Sequence, residues 1–474
     1  MKKTVSLLLV CGLIITMLSG VFSAGALFAD KNVTDNLLSK AYYLQSMDDG
    51  TVFFEKNADK KMPAAAFVKL VAAVVAIEKW GNLDEKVTVT NKSLSLVKYD
   101  YGVRTASYKD GEKVSKKELV NCLVVYSAND AASIIAYEIS GSVEAFVKEM
   151  QSLAEKTGCT STQFRNIHGF DEDGQYTTAR DVAKFMQYAL SYPAFSEAIS
   201  ADSVTLKATS QNEERTFKTG NKMKTASIAD YYHQSVTGGK YTATEKAGEC
   251  AAIVTNMDGY SYLAVTLGGK LSDIDSDGVK ENSCFTDIKR MLNWVYDNIR
   301  YRVIASPEQS IAAVSVKAGK DTDKVRLVPE KEISALVPSN VTPASVMFEI
   351  VEDSVKKSIT APVEAGEVLG QAKVYYAGIE LCTINLVAAQ TVERSFTGLI
   401  MATLSDIVGS TAFLVLTVLS FLAAAAYLVM IMSKFYGWDK KLENMAAIKK
   451  AQPKKKAPAK SSTAKKQPPK NIKK

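Results

Sequence analysis

Histidine is nearly missing from this chain: His168 and His233 are the only two in 474 residues. Cysteine is sparse as well, with six in all. Cys11 falls in a hydrophobic leader, and Cys122, Cys159, Cys250, Cys284 and Cys382 are odd in number, widely spaced and free of any Cys-x-x-Cys pair. Neither a disulfide framework nor a zinc site is indicated, and no metal or cofactor is expected. The nearest thing to a metal motif is Asp273-Ile274-Asp275-Ser276-Asp277-Gly278, the first half of a calcium loop. Its twelfth position is Cys284 where a glutamate is needed, so it reads as a solvated acidic insertion.

Long apolar runs are confined to the two ends. Lys2 and Lys3 precede an apolar stretch from Val5 to Val21, and Ala24-Gly25-Ala26 supplies small residues at a cleavage spacing, with Ala29 as another cleavage point. Residues 1–29 therefore read as an export signal, with an uncleaved anchor as the alternative. Ala412–Met432 carries no charge, and at about 1.5 Å rise per residue it spans a ~30 Å hydrocarbon core. From Lys434 to Lys474 there are fourteen lysines against two acids. Positive flanks stay in the cytoplasm, so the expected topology is single-pass, with a basic, disordered tail inside and the folded bulk outside the cell membrane. An electrostatic hold on anionic lipid suits that tail better than nucleic acid does.

The net charge of +7 is thus a property of the ends, and the exported part is acidic, near −7. No polyanion partner is expected for it. Roughly 380 residues between the apolar runs are enough for two or three domains.

Within 30–300, helical and strand patterns mix. Thr51-Val52-Phe53-Phe54 reads as a strand. Ala65–Trp80 reads as a helix closed by Gly81, and Ser115 with Glu118 makes a capping box. Val143–Thr157 and Thr178–Leu190 are amphipathic helices, and Asp258-Gly259 joins two strands, Ala251–Thr255 and Tyr262–Leu267, as a hairpin. From Tyr301 the period changes to two: Val314/Val316, Val325/Leu327, Val346/Phe348/Ile350 and Val374/Tyr376 alternate with polar residues between Gly- and Pro-containing turns. That predicts a small all-β domain over 301–395. Phe396–Val408 has helical spacing and leads, as a juxtamembrane segment within 396–433, into the membrane helix.

Three short segments carry chemistry when taken together: Pro63-Ala64-Ala65-Ala66-Phe67-Val68-Lys69, Ser127-Ala128-Asn129-Asp130, and Gly238-Gly239-Lys240-Tyr241-Thr242. With them stand Asp49–Ala58, Phe164-Arg165-Asn166-Ile167-His168-Gly169-Phe170 and Tyr176–Asp181. In this order they resemble the D-alanyl-D-alanine carboxypeptidases, the low-molecular-mass penicillin-binding proteins, over nearly the whole exported region. The resemblance implies an α/β transpeptidase/β-lactamase-like domain, helices around an antiparallel sheet, followed by a β-sandwich and one C-terminal transmembrane helix.

It also implies a serine nucleophile three residues before a lysine base, a Ser-x-Asn loop and a Lys-Thr-Gly strand. Positions i and i+3 share a helix face, which lets the lysine amine take the serine proton. Lys69, Ser127, Asn129 and Lys240 carry over. The nucleophile position is Ala66, whose methyl group attacks nothing, and no serine lies between Met47 and Lys92. Tyr241 and Thr242 occupy the threonine and glycine of the substrate-binding strand. A laboratory substitution at Ala66 would leave that third motif alone, so natural loss of catalysis is the reading. Lys270 stands where the family often keeps an arginine for the substrate carboxylate, and His168 reads as a turn residue. Taken alone, Ser127 and Asn129 would pass as ordinary helix caps. The expected partner is a peptidoglycan stem peptide or a wall-synthesis enzyme, with a weakly active carboxypeptidase as the alternative.

Overall fold

The computed structural model describes residues 30–96, 103–274, 278–436 and 438–450. The expected signal, Asp275 to Asp277 of the half calcium loop and the tail from 451 lie outside the described residues. Two compact units form. One comprises the residues up to Ala312 with Leu327–Val355 and Val368–Val387; the other comprises Ala313–Arg326, Lys356–Glu367 and the chain from Ala388 onward.

In the first unit, β1 (Ala41–Ser46), β2 (Val52–Lys56), β3 (Val236–Thr244), β4 (Gly248–Met257) and β5 (Tyr260–Gly269) make a five-stranded sheet in the order β2-β1-β5-β4-β3. Every neighbouring pair is antiparallel. Asp258 and Gly259, with φ of 55° and 82°, make the left-handed turn that joins β4 to β5. Both faces of the sheet are covered. Tyr43, Val52, Ala252 and Val265 face one core with α1 (Val68–Trp80), whereas Tyr42, Phe53, Ile253 and Tyr262 face another with α6 (Ser283–Asn298). Alternate side chains thus go to opposite cores, and β1 is buried at every position.

Helix α1 is buried continuously from Val68 to Ala76, as befits a helix apolar on all sides, and Gly81 closes it at φ 62°. Ala65–Phe67 precedes it as a single 3₁₀ turn, with Ala65 at φ 46°. The other predicted helices form as α2 (Lys116–Asn121), with the Ser115–Glu118 box closed in both directions, α4 (Val143–Lys156) and α5 (Ala179–Ala189). Between α2 and α4 lies α3 (Asn129–Ser140).

Past α6 the same unit turns to strands. Ile299–Ala305 pairs with Ile333–Pro338, and Val368–Tyr376 lies between Met347–Ile350 and Ile379–Ala388, all antiparallel. In the second unit Ser315 to Lys317 run parallel to Ser358–Thr360. Its later part is helical: α7 (Phe396–Val408), α8 (Thr411–Tyr436) and α9 (Trp438–Lys450). Thr411–Lys434 in α8 is 24 residues long with mean hydropathy 2.5, long and apolar enough to cross a membrane.

The expectation of disorder from residue 434 onward needs correction, since α8 runs on to Tyr436 and Trp438–Lys450 is a helix. Leu442, Met445, Ala446 and Ala447 are strong helix formers, and the first proline after them is Pro453. Cys284, the twelfth residue counted from Asp273, is fully buried in α6.

Candidate active site

Between the N-terminal end of α1, the start of α3 and the strand β3 lies a cavity of about 380 Å³, walled by Ala66, Lys69, Ser127, Asn129, His168 and Thr242 among others. Its shape depends on one close approach. Gly169, at φ 79°, presses on the 3₁₀ turn so tightly that a Cβ there would lie 2.3 Å from the Ala65 carbonyl oxygen.

Lys69 enters from α1 almost completely buried, and its Nζ donates to the Ser127 carbonyl oxygen at 2.8 Å. Burial, and then the charge of Arg104, push its pKa down to about 7, with Asp130 opposing them. Ser127 follows a π-helical turn, Cys122–Tyr126, and sits in the left-handed region at φ 67°. Such turns and such backbone angles gather at functional sites. Its hydroxyl does not cap α3, whose N-cap, Ala128, has no side-chain cap bond. Asn129 spends its donors on one acceptor: backbone N–H and Nδ2 both reach the Arg104 carbonyl oxygen, at 2.9 and 3.1 Å. Its Oδ1 is buried without a hydrogen-bond partner. The capping alternative therefore fails for both residues.

On the strand side, Ala66 and Thr242 meet directly. The Ala66 backbone N–H donates to Thr242 Oγ1 at 3.1 Å. Where the family pattern has glycine, a hydroxyl here occupies the amide at the head of α1. Tyr241 faces the other way, as strand alternation requires: its ring lies 5.1 Å from that of Phe285, and its hydroxyl donates to Glu249 Oε2 at 2.6 Å. Burial and the Glu249 carboxylate raise its pKa. The phenol thus packs against the core on the α6 side, while Tyr241 still forms part of the cavity wall.

Two of the expected substrate-binding residues are not among those that line the cavity. Lys240 is buried but is no part of the cavity wall. Its Nζ donates to the Leu123 and Val124 carbonyl oxygens, and burial, then Lys69 and Arg104, pull its pKa well below the usual lysine value. Lys270 is exposed and away from the cavity. Its backbone N–H is held by Ser283 Oγ at 2.8 Å just past the end of β5, so the side chain turns to solvent. His168 keeps the turn role expected of it, Nδ1 accepting from the Phe170 N–H at 3.2 Å, and also lines the cavity. Burial and Lys69 hold its pKa down at about 4, so it is neutral.

Arg104 was not singled out in the sequence, and Asp130 stood there only as the end of the second segment. Asp130, the residue after Asn129, is buried and accepts from the backbone N–H groups of Ala106 and Tyr108, at 2.9 and 3.2 Å. It follows the Ser-x-Asn motif, so its place beside the site was open to inference; no local pattern marks Arg104.

Known sequences and structures resemble this arrangement over most of the chain. The family described as D-alanyl-D-alanine carboxypeptidase matches residues 29–271, and the penicillin-binding protein 5 C-terminal domain matches residues 301–394. D-alanyl-D-alanine carboxypeptidase DacF of Bacillus subtilis is 25% identical over 401 residues, covering 83% of this chain and 96% of the relative. DacC of Escherichia coli is 24% identical over 381 residues, covering 79% and 89%. Among solved structures, the carboxypeptidase DacD from Francisella tularensis aligns with a TM-score of 0.57 at 19% identity, covering 80% of this chain and 98% of that one. Penicillin-binding protein 5 from Haemophilus influenzae aligns at 0.55 and 20%, covering 76% and 98%. These structures share the fold: an α/β transpeptidase-like domain followed by a β domain.

Proposed function

Since this chain belongs to the D-alanyl-D-alanine carboxypeptidase family, we propose that it is a non-catalytic member that binds peptidoglycan stem peptides in the cavity beside Ala66. The observation that carries the reading is the Ala66–Thr242 contact. Acyl transfer needs a nucleophile and preorganised donors for the developing oxyanion. At residue 66 the hydroxyl is missing, and the backbone N–H that would serve as a donor is bonded to Thr242 Oγ1 instead. Loss of the nucleophile alone costs several orders of magnitude in rate.

The remaining polar groups suit binding. Asn129 offers an unpartnered Oδ1 beside an open cavity, as an acceptor for a peptide N–H. The α8 helix and the lysines after it support a membrane anchor with a cytoplasmic C-terminus, the folded region lying outside.

A slow carboxypeptidase is the second reading, favoured by one fact: Lys69, with a pKa near 7, is partly a free amine at neutral pH and is able to act as a base toward water. Covalent labelling with a fluorescent penicillin separates the two classes. The detergent-solubilised chain is expected to stay unlabelled, and the Ala66→Ser/Thr242→Gly variant to label. Labelling of the native chain overturns the non-catalytic reading.

A further inference from the structure

The backbone that carries Arg104 is pinned at its own carbonyl and just downstream of it. Its carbonyl oxygen takes two hydrogen bonds from Asn129, and Asp130 takes the N–H groups of Ala106 and Tyr108. The guanidinium is free by comparison. It is exposed on the cavity wall, with one long contact of 3.5 Å from Nη1 to the Tyr126 carbonyl oxygen and a cation–π position 5.6 Å from the Tyr126 ring. No ion pair to it forms among the described residues. Tyr126 is braced in turn by Phe217, ring centroids 4.5 Å apart.

Its location relative to β3 is fixed by Gly220. A Cβ at Gly220 would lie 3.1 Å from Tyr241 Cδ1 and 3.7 Å from Arg104 Nη1. The fork therefore stands beside Tyr241, the position at which the family pattern has a carboxylate-binding threonine. Both strand residues expected to receive that carboxylate are engaged elsewhere: Lys240 with the carbonyls of Leu123 and Val124, and Tyr241 with Glu249. The other basic groups lose their charge readily, Lys69 near pH 7 and His168 near 4, whereas a guanidinium stays charged. An arginine fork pairs with a planar carboxylate through two parallel N–H···O bonds.

We infer that Arg104 has taken over recognition of the ligand's free carboxylate, so that the cavity selects peptides with an unblocked C-terminus while Asn129 Oδ1 accepts a peptide N–H next to it. This rests on the peptide-binding reading above. Arg104 is a specificity residue here, touching ligand without entering any covalent step.

Calorimetric titration of the solubilised full-length chain tests it, with diacetyl-L-Lys-D-Ala-D-Ala as the free acid and as its C-terminal amide. The native chain is expected to prefer the acid at least about tenfold, the size of one charge-assisted pair. Arg104→Ala and Arg104→Gln should each lower affinity for the acid about ten- to a hundredfold, leave the amide nearly unchanged and keep the native unfolding temperature. An acid preference that survives both variants overturns the inference and spares the peptide-binding reading. So does a native chain that binds acid and amide equally. Binding of neither probe by the native chain overturns the peptide-binding reading and the inference with it.

Discussion

On the helical side of the cavity, Lys69, Ser127 and Asn129 lie together and buried, with Lys69 Nζ donating to the Ser127 carbonyl oxygen and Asn129 Nδ2 to that of Arg104. On the strand side, Tyr241 and Thr242 depart from the family pattern, and each has found a partner of its own in Glu249 and Ala66. The difference follows from packing. Removing Lys69 would strip a donor from the Ser127 carbonyl, at a cost of about 1–3 kcal/mol for a buried group left unpaired, and removing the Asn129 side chain would strip one of two donors from the Arg104 carbonyl. β3 is an edge strand of the sheet, and its alternation sends Tyr241 into a core that has room for an aromatic ring beside Phe285. A site whose residue 66 carries no hydroxyl can therefore keep its helical wall for structural reasons while its strand wall changes.

The largest test of this contrast is chemical. In an Ala66→Ser background, restoring glycine at Thr242 should raise the rate of penicillin acylation about a hundred- to a thousandfold over Ala66→Ser alone, the scale of one oxyanion donor. Stopped-flow or gel-based acylation rates measure it. Equal rates would mean that the Ala66 amide is available despite Thr242, and the strand wall would then be no obstacle.

Next in size is a pH effect on the helical wall. The folded-state pKa of Lys69, about 7, lies below its ordinary value of 10.5. Between those values the unfolded chain binds a proton that the folded chain does not. Unfolding free energy therefore rises with pH across that window, by up to about 1.4 kcal/mol per pH unit for one proton. The destabilisation is fully present below 7 and relieved toward 10.5. Lys69→Met should reduce the slope of denaturant-unfolding free energy against pH from 7 upward; an unchanged slope would show that Lys69 does not titrate in this range.

Smallest is the strand wall's own anchor. Tyr241→Phe removes the hydrogen bond to Glu249, which keeps a second donor in Asn282 Nδ2 at 2.6 Å. The expected loss is about 1 kcal/mol, read from urea midpoints, with peptide affinity unchanged. A change in affinity instead would place the phenol in the ligand's path.

Much of the fold was legible in the order of residues. The helix at Val68, its glycine stop, the Ser115–Glu118 box and the Asp258-Gly259 hairpin are local signals, carried by residues a few positions apart. β1 was missed because it is buried on both faces and so lacks the alternation that marks a half-exposed strand. Ile299–Ala305 was missed for another reason: it follows α6 with no glycine or proline between them, so nothing in the sequence punctuates the change.

That residue 66 carries a methyl group and no hydroxyl needed no structure. The apolar stretches near both ends and the basic tail are likewise compositional and readable without coordinates. Side-chain direction is another matter. That Thr242 caps the Ala66 amide depends on residues 176 positions apart, and that Lys240 turns to the carbonyls of Leu123 and Val124 depends on more than a hundred. Lys270 and Arg104 make the same point in opposite senses: the first has the right local pattern and ends in solvent, while the second has no pattern and ends at the cavity. Local spacing sets helices, turns and motifs, but which face of a packed chain a charge reaches is set by contacts among distant segments, and these exist only once the core has closed.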